Sequence, residues 1–177
     1  MAAQNIAEAM RRVETVLQRR PEAGLHEDAP ASAHWQSGTR VLSRHANGAE
    51  LLTDMPSELG GSGDQVTPGW LFRAGLASCL ATCIAMRAAA AGIELESLVV
   101  TATSRSDTRG LLGMADAAGD PVCAAPSEVQ LSALISAPRT SPDQLRELVE
   151  ESHRCSPVPT ALRNAVPVTL RIEVGAG

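Results

Sequence analysis

The feature that most constrains the fold is an apolar run that starts after Pro68 and continues to about Ala91. Pro68 suits the first turn of a helix and Gly92 suits the position just past a helix end, so residues 69–91 are predicted to form one helix. This helix is apolar nearly all round and must be covered on several sides. One sheet and one short helix cannot easily cover it in a chain of 177 residues, which predicts a partner subunit.

The distribution of charged residues favours neither a nucleic-acid partner nor a membrane partner. The chain carries 15 basic and 20 acidic residues, and it has no basic face that would neutralise a run of phosphates, so we expect no nucleic-acid partner. The longest stretch without charge is the 13 residues between Arg73 and Arg87, which is too short to span a bilayer. The N-terminus lacks a secretory segment. These features predict a soluble, cytoplasmic protein without a membrane partner.

The first 24 residues are predicted to form a helical arm. Charged side chains occupy one face of this arm, and Pro21 ends it. The apolar residues recur at helical spacing, at Ile6, Met10, Val13 and Leu17. The arm is therefore predicted to be an amphipathic helix.

Turn signals after the arm predict a small antiparallel sheet. Segments 32–36, 39–46 and 49–54 have strand-forming composition, and they are separated by Gly38 and by an Asn-Gly pair at 47–48. Such short, glycine-containing connections are typical of β-hairpins.

The second half of the chain combines strands with a well-marked helix. Apolar and polar residues alternate over 129–137 and 166–174, which predicts two half-buried strands, and a third strand is predicted within 95–107. Ser141 and Gln144 form a capping box at the start of a helix between these strands. Strands and helices in this irregular order predict an α+β domain.

The chain has four cysteines, and Cys79 and Cys83 lie one helical turn apart in the apolar run. In a reducing cytoplasm all four are expected to be free thiols rather than a disulfide framework. A bond between Cys79 and Cys83 would be strained in a regular helix. Cys83 is therefore either a redox thiol that needs local unwinding or a small core residue. Cys123 is predicted to lie in an exposed or loosely packed loop.

Three segments together resemble the OsmC/Ohr family of thiol-dependent hydroperoxide reductases. They are DMPSELGGSGDQVTPGWLFRAGLASCLATCIAMRAAAAGIELESL, SDTRGLLG and SPVPTALRNAVPVTLRIEV. The resemblance implies one OsmC-like domain over residues 33–174, preceded by residues 1–24 as an N-terminal extension. It also implies an α+β fold and a tightly intertwined homodimer, in which two central helices pack between sheets built from both chains.

The resemblance further implies a thiol mechanism. Cys79 occupies the position of the peroxidatic cysteine, whose thiolate attacks a hydroperoxide, becomes a sulfenic acid and is then captured by a resolving thiol. The implied partners are a small-molecule hydroperoxide and a thiol reductant, and no cofactor is expected.

Two departures from the family pattern affect the expected site. The family's helix opens with a glutamate that positions an activating arginine, but this chain has Gly69 there and no arginine between Arg44 and Arg73. Arg73 lies about 240° around the helix from Cys79, on a different face. An activating arginine is therefore expected to come from elsewhere in the fold or from the second chain.

The second departure concerns the resolving thiol. The family's resolving cysteine precedes Pro-Val directly, whereas here Ser156 takes that place and Cys155 lies one residue earlier. Cys155 is the candidate resolving thiol, because an irregular helix end can offset a shift of one residue. The alternative is that Cys155 is a small packed residue.

Other chemistries have less support in the sequence. The glycine-rich loop before the apolar helix fits neither a P-loop nor a dinucleotide fingerprint. No metal site is expected, because the histidines are scattered and no Cys-x-x-Cys pair occurs, although His153 is close to Cys155. No serine stands in a nucleophile elbow. Arg109 either directs a charge toward the site or caps a strand turn.

Two functions remain open from the sequence. One is a cytoplasmic thiol peroxidase that acts on organic hydroperoxides in oxidative-stress defence, with Cys79 as its nucleophile. The other is a catalytically weak OsmC-like dimer that serves as a small-ligand-binding or thiol-redox module. The absence of the family glutamate favours the second function, and the cysteine within LASCLAT favours the first.

Overall fold

The computed structural model describes residues 2–175 and contains five α-helices and five β-strands over that range. The helices are α1 (Ala2–Arg19), α2 (Pro68–Ala90), α3 (Thr108–Leu111), α4 (Pro142–Arg154) and α5 (Pro157–Arg163). The strands are β1 (Ser32–Ser37), β2 (Arg40–Arg44), β3 (Glu50–Thr53), β4 (Ser97–Arg105) and β5 (Ser127–Ser136). Short 3-10 turns lie at Pro21–Gly24 and Ser57–Leu59. This content confirms the predicted α+β class.

The predicted hairpins form a three-stranded antiparallel sheet in the order β1-β2-β3. Val41 pairs with Trp35 on one side and with Thr53 on the other. Gly48 adopts a φ of 91° in the β2–β3 turn, a backbone conformation that side chains other than glycine's rarely adopt. The hairpin predictions are confirmed. The arm is helical as α1, Met1 lies outside the described residues, and the proposed domain division stays a prediction.

Helix α2 confirms the predicted apolar helix and carries the core. Thr67 caps its start by accepting a hydrogen bond from the Trp70 backbone N–H at 3.1 Å, and Gly92 follows its end with a φ of 69°. The core consists of buried α2 and α4 side chains, with half-buried residues of β4 and β5 packed against them. Its buried members are Leu80, Ile84, Ala88 and Leu148.

The two-stranded antiparallel sheet β4-β5 covers one side of α2. The predicted third strand within 95–107 forms as β4, and its side chains alternate between half-buried and exposed. Val100 and Leu131 pack against the core, whereas Val99 and Leu134 on the other face are 56% and 72% exposed. The sheet therefore leaves one apolar cross-strand pair, Val99 and Leu134, open to solvent on a face that is otherwise polar.

Helix α4 begins as the capping box predicts. The Ser141 hydroxyl accepts from the Gln144 backbone N–H, and the Gln144 side chain accepts from the Ser141 backbone N–H at 3.0 Å. Helix α4 packs against α2 and β5, and Leu145 and Leu148 are its buried apolar residues. This contact brings the end of α4 close to the middle of α2.

The prediction of a half-buried strand at 166–174 is wrong for the single chain. No strand is assigned over these residues, and Val168 and Leu170 are 96% and 85% exposed. A strand needs a neighbour to satisfy its backbone and to cover its apolar face, and no described strand pairs with residues 166–174 in the single chain.

Helix α2 is also the one described helix that is long and apolar enough to cross a membrane. It is 23 residues long, and its most apolar window has a mean hydropathy of 1.4. Arg73 and Arg87 lie within the helix, and each donates a hydrogen bond to a side chain of another element. Only 17% of this window is buried in the single chain, so packing against β4 and α4 covers part of its apolar surface and leaves the rest open.

Candidate active site

The sulfur of Cys79 lies where α2 meets the junction between α4 and α5. The Ser156 hydroxyl donates to the Cys79 Sγ at 3.2 Å, and the Val158 backbone N–H donates to the same sulfur at 3.5 Å. Ser156 is fully buried, and Cys79 is half-buried. The sulfur therefore has two donors from one short segment.

The local sequence explains why both donors are free to reach the sulfur. Ser156 is the N-cap residue of α5, but its hydroxyl makes no capping hydrogen bond to that helix. Val158 lies in the first turn of α5, where backbone N–H groups have no intrahelical acceptor. Proline at 157 begins the helix and fixes this turn. The segment Ser-Pro-Val thus presents a hydroxyl and an N–H to Cys79.

The two arginines of α2 contact other groups than Cys79. Arg73 donates to the Ser104 hydroxyl on β4 at 3.4 Å, in agreement with its predicted place on a different helix face. Arg87 donates to the Cys155 Sγ at 2.9 Å and lies 3.4 Å from the Glu151 carboxylate. Among residues 2–175, the hydrogen bonds to Cys79 come from neutral groups.

Ser156, rather than Cys155, is the residue of this junction that contacts Cys79. Cys155 is exposed and follows the last turn of α4, where its sulfur meets the Arg87 guanidinium. The role of Cys155 as a resolving thiol stays a prediction.

Cys83 lies one turn after Cys79 and is half-buried. Burial is the main cause that raises the pKa of the Cys83 thiol, and the neighbouring Cys79 and Cys155 sulfurs act in the same direction. The Ser156 hydroxyl acts against this shift. Cys83 is therefore within electrostatic range of both other sulfurs, and its role stays open between the two that the sequence allows.

The glycine-rich loop before α2 is organised by a carboxylate of the protein itself. Asp54 is buried, and it accepts hydrogen bonds from the Ser62 hydroxyl at 2.6 Å, the Ser62 backbone N–H at 3.0 Å and the Met55 backbone N–H at 2.8 Å. These hydrogen bonds, led by the one from Ser62, hold the pKa of Asp54 well below its usual range. The Ser62 hydroxyl and N–H, which a bound phosphate would need as donors, are thus already hydrogen-bonded to Asp54.

Arg40 is the arginine that this loop engages. Its guanidinium lies 3.4 Å from the Asp54 carboxylate and 2.7 Å from that of Asp64. The Asp64 contact is the main cause of the raised pKa of Arg40. Arg40 is therefore occupied in fixing the loop.

Arg109 pairs with a carboxylate in its own turn. Its Nε donates to Asp107 at 3.0 Å, and Asp107 is the N-cap residue of α3. This favours the turn-capping interpretation of Arg109. Cys123 is exposed, as predicted. No group of three or more histidine, cysteine or carboxylate side chains suited to a metal ion occurs within residues 2–175.

The arrangement of a helix cysteine against a Ser-Pro-Val segment fits the resemblance to the OsmC/Ohr family. A comparison of the sequence with family models tests whether the chain is a member. The family model for OsmC-like proteins matches residues 61–171. The chain belongs to the OsmC family. The match includes both Cys79 and Ser156. No curated protein sequence matches the chain.

Solved structures of OsmC-like proteins share the fold. An OsmC-like protein from Mycoplasma pneumoniae is similar with a TM-score of 0.64 at 16% identity, over 78% of this chain and 89% of that one. An organic hydroperoxide resistance protein from Elizabethkingia anophelis is similar with a TM-score of 0.58 at 25% identity, over 78% of this chain and 90% of that one. A putative osmotic stress induced and detoxification response protein from Psychrobacter arcticus gives 0.59 at 20% identity, over 77% and 90%.

Sequence reasoning missed the contact between Arg87 and Cys155. A signal for it was present, because Cys79, Cys83 and Arg87 follow one another at four-residue spacing and therefore share one face of this OsmC-family helix. The face of α4 that packs there ends in Cys155.

Proposed function

We propose that the protein is a thiol-dependent organic hydroperoxide reductase with Cys79 as its peroxidatic cysteine. The observation that carries this proposal is the Cys79 sulfur at the α4–α5 junction, held by the Ser156 hydroxyl and the Val158 N–H. Membership of the OsmC family supports it, as does the similarity to a protein named for organic hydroperoxide resistance.

The chemistry consists of three balanced steps. The Cys79 thiolate attacks the terminal oxygen of a hydroperoxide ROOH, the O–O bond breaks, and RO⁻ leaves and takes a proton to become the alcohol. Cys79 is then a sulfenic acid. A thiol R′SH attacks this sulfur, a disulfide forms, and the oxygen leaves as water. A second thiol reduces the disulfide and restores Cys79.

The donors at Cys79 have defined tasks in this scheme. Hydrogen bonds from Ser156 and Val158 orient the sulfur and stabilise negative charge on it. Both groups act as donors, so neither takes up the proton of the thiol. The thiol that attacks the sulfenic acid is either Cys155 after a local rearrangement of the α4 end or a reductant from solution. Ser156 itself has no sulfur to offer.

The proposal includes a homodimer in the cytoplasm. The exposed Val99–Leu134 pair of β4-β5 and the exposed segment 166–174 supply the apolar area that a second copy would cover. The proposed partners are therefore a second copy of this chain, a small hydroperoxide and a thiol reductant.

A catalytically weak OsmC-like module for small ligands or thiol redox reactions is the second candidate function. The specific observation in its favour is that Gly69 replaces the family glutamate and that the Cys79 sulfur is held by neutral donors. Under this alternative, Cys79 reacts with hydroperoxides no faster than a free thiol in solution.

The test compares Cys79→Ser with Cys123→Ser in an assay of cumene hydroperoxide consumption driven by an excess of dithiol. We expect Cys79→Ser to lower the turnover rate at least ~100-fold, since the nucleophile is lost. Cys123→Ser is the matched control, because Cys123 is exposed and distant from the site in sequence, and it should keep the wild-type rate. Equal rates in the wild type and Cys79→Ser would contradict the proposal.

A further inference from the structure

A pair of thiols lies beside the Cys79 site, in the cleft between α1, α2 and α4. This cleft has a volume of about 420 Å³. Cys83 lines it from α2, and Cys155 lines it from the end of α4. Cys79 is not part of its lining, because the Cys79 sulfur faces Ser156 and Val158.

The two thiols of the cleft differ in exposure and in their neighbours. Cys155 is exposed, and the Arg87 guanidinium donates to its sulfur at 2.9 Å. Cys83 is half-buried on the same helix face as Arg87, one turn earlier. A cationic donor beside an accessible sulfur is the environment of reactive cysteines, whereas a partly buried thiol without a cationic partner is slower to react from solution.

We propose that Cys155 and Cys83 form a second thiol centre that exchanges with small-molecule disulfides, with Cys155 as the attacking sulfur and Cys83 as the thiol that completes the exchange. This centre does not use Cys79, so it does not depend on peroxide reduction; it shares Cys155 with one of the two resolving routes of the proposed peroxidase function.

The exchange balances in two steps. The Cys155 thiolate attacks a disulfide RSSR, the S–S bond of RSSR breaks, and RS⁻ leaves, which forms a mixed disulfide of Cys155 with RS. Cys83 then loses its proton to solvent and attacks the Cys155 sulfur, which releases the second RS⁻ and leaves a Cys83–Cys155 disulfide. Both RS⁻ groups take up protons according to their own pKa. The protein loses two hydrogens, and RSSR becomes two RSH.

The lining of the cleft selects the class of disulfide. Met10, Met86 and Leu148 offer apolar surface around the two sulfurs, and Arg87 is already paired with Glu151. Because that guanidinium is engaged, a substrate with a small neutral body fits better than one that brings its own carboxylate. Bis(2-hydroxyethyl) disulfide is a suitable probe of this size and charge.

The residues of this thiol centre lie on two helix faces that pack against each other. Arg87 and Cys83 are presented by one stripe of α2, and Glu151 and Cys155 by the facing part of α4. The Arg87–Glu151 contact joins the two helices at 3.4 Å, next to the thiols. This contact holds the end of α4 against α2, so the Cys155 sulfur has only a short way to move to reach Cys83.

The experiment uses the full chain with Cys79 and Cys123 both replaced by serine, so that the remaining cysteines are Cys83 and Cys155. After incubation with bis(2-hydroxyethyl) disulfide, we expect an intact mass lower by about two hydrogens, release of about two equivalents of thiol, and a peptide that links Cys83 to Cys155. In the same background, Cys83→Ser should stop at a mixed disulfide on Cys155 and release about one equivalent. Cys155→Ser should form neither product on the same timescale.

A pair of arginine variants separates a reactive centre from two thiols that merely lie close together. Arg87→Gln should slow mixed-disulfide formation at Cys155 at least about fivefold, because the cationic donor is lost. Arg73→Gln, on another face of the same helix, should leave that rate unchanged. A mixed disulfide that persists in the chain with both Cys83 and Cys155 present would overturn the proposal, and so would equal rates for Arg87→Gln and its parent. Circular dichroism checks the fold of each variant, and peptide mapping of the wild-type chain gives the same linkage result if a variant does not fold.

Discussion

The Ser156 hydroxyl lies 3.2 Å from the Cys79 sulfur, at the position where OsmC-family resemblance places a resolving thiol. Both side chains are held by packing, since Ser156 is fully buried and Cys79 lies on the central helix. In this chain the group in contact with the Cys79 sulfur at that place is a hydroxyl and not a thiol. Two variants of Ser156 follow from this contact.

The variant Ser156→Ala removes the hydroxyl donor while leaving the Val158 N–H in place. We expect the rate of Cys79 oxidation by cumene hydroperoxide to fall roughly tenfold, which corresponds to about 1.4 kcal/mol of lost stabilisation of the attacking sulfur. Stopped-flow measurement of sulfenic acid formation checks this rate. The control is Ser152→Ala, because Ser152 is an equally buried α4 serine whose hydroxyl donates to the Leu148 carbonyl at 2.6 Å. A similar loss in both variants would point to a general packing effect.

The variant Ser156→Cys restores a sulfur at the resolving position. A thiol there starts within about 3–4 Å of the Cys79 sulfur and needs only a small side-chain rotation to reach bonding distance. After one equivalent of hydroperoxide, we expect most molecules to carry a disulfide between positions 79 and 156, detected by intact mass and peptide mapping. Thr160→Cys, one turn further along, is the control and should not trap Cys79. Sulfinic acid at Cys79 in place of the disulfide would contradict the geometry described here.

The buried carboxylate of Asp54 makes the loop before α2 sensitive to acid. The pKa of Asp54 lies below its unfolded value in the folded chain, so the ionised group contributes stability above about pH 4, and this contribution is lost as the pH falls through the folded pKa. Asp54→Asn should therefore lower the Tm at pH 7 by roughly 5 °C or more. Below pH 4 the difference from wild type should shrink. A Tm difference that stays constant from pH 7 to pH 3 would refute this role.

The exposed apolar segment 166–174 tests the proposed dimer. If a second copy covers this segment as a strand, Leu170→Asp should place a charge in an apolar contact and shift the protein toward monomer by at least ~tenfold in dissociation constant. Thr169→Asp is the matched control, because successive strand residues point to opposite faces. Analytical ultracentrifugation measures both. A wild-type chain that sediments as a monomer at micromolar concentration would contradict the dimer.

Much of the fold follows from local patterns in the sequence. The Ser141–Gln144 capping box, the hairpin turn at Gly48 and the helix between Pro68 and Gly92 are set by residues that lie close together in the chain. Capping boxes, turns and helix ends of this kind can be predicted from neighbouring residues alone, without knowledge of the tertiary structure.

The errors and omissions arise where a partner distant in the chain decides the outcome. The alternation at 166–174 predicts a strand, but a strand forms only where another strand pairs with it. The Asp54 network joins the residue that follows β3 to Ser62 in the loop and to Arg40 of β2, and the Arg87–Cys155 contact joins α2 to the end of α4. Composition and periodicity do not specify such pairings, although the four-residue spacing of Cys79, Cys83 and Arg87 marks one of the two faces involved.

The uncovered apolar tail at 166–174 also affects the life of a newly synthesised molecule. Five alternating, exposed apolar side chains outside any helix or strand are a template for unwanted association and an accessible site for proteases. If the proposed dimer covers this segment, molecules that have not yet met a partner are the vulnerable ones. Cellular abundance should then rise more steeply than linearly with expression level, since sparse molecules stay unprotected longer.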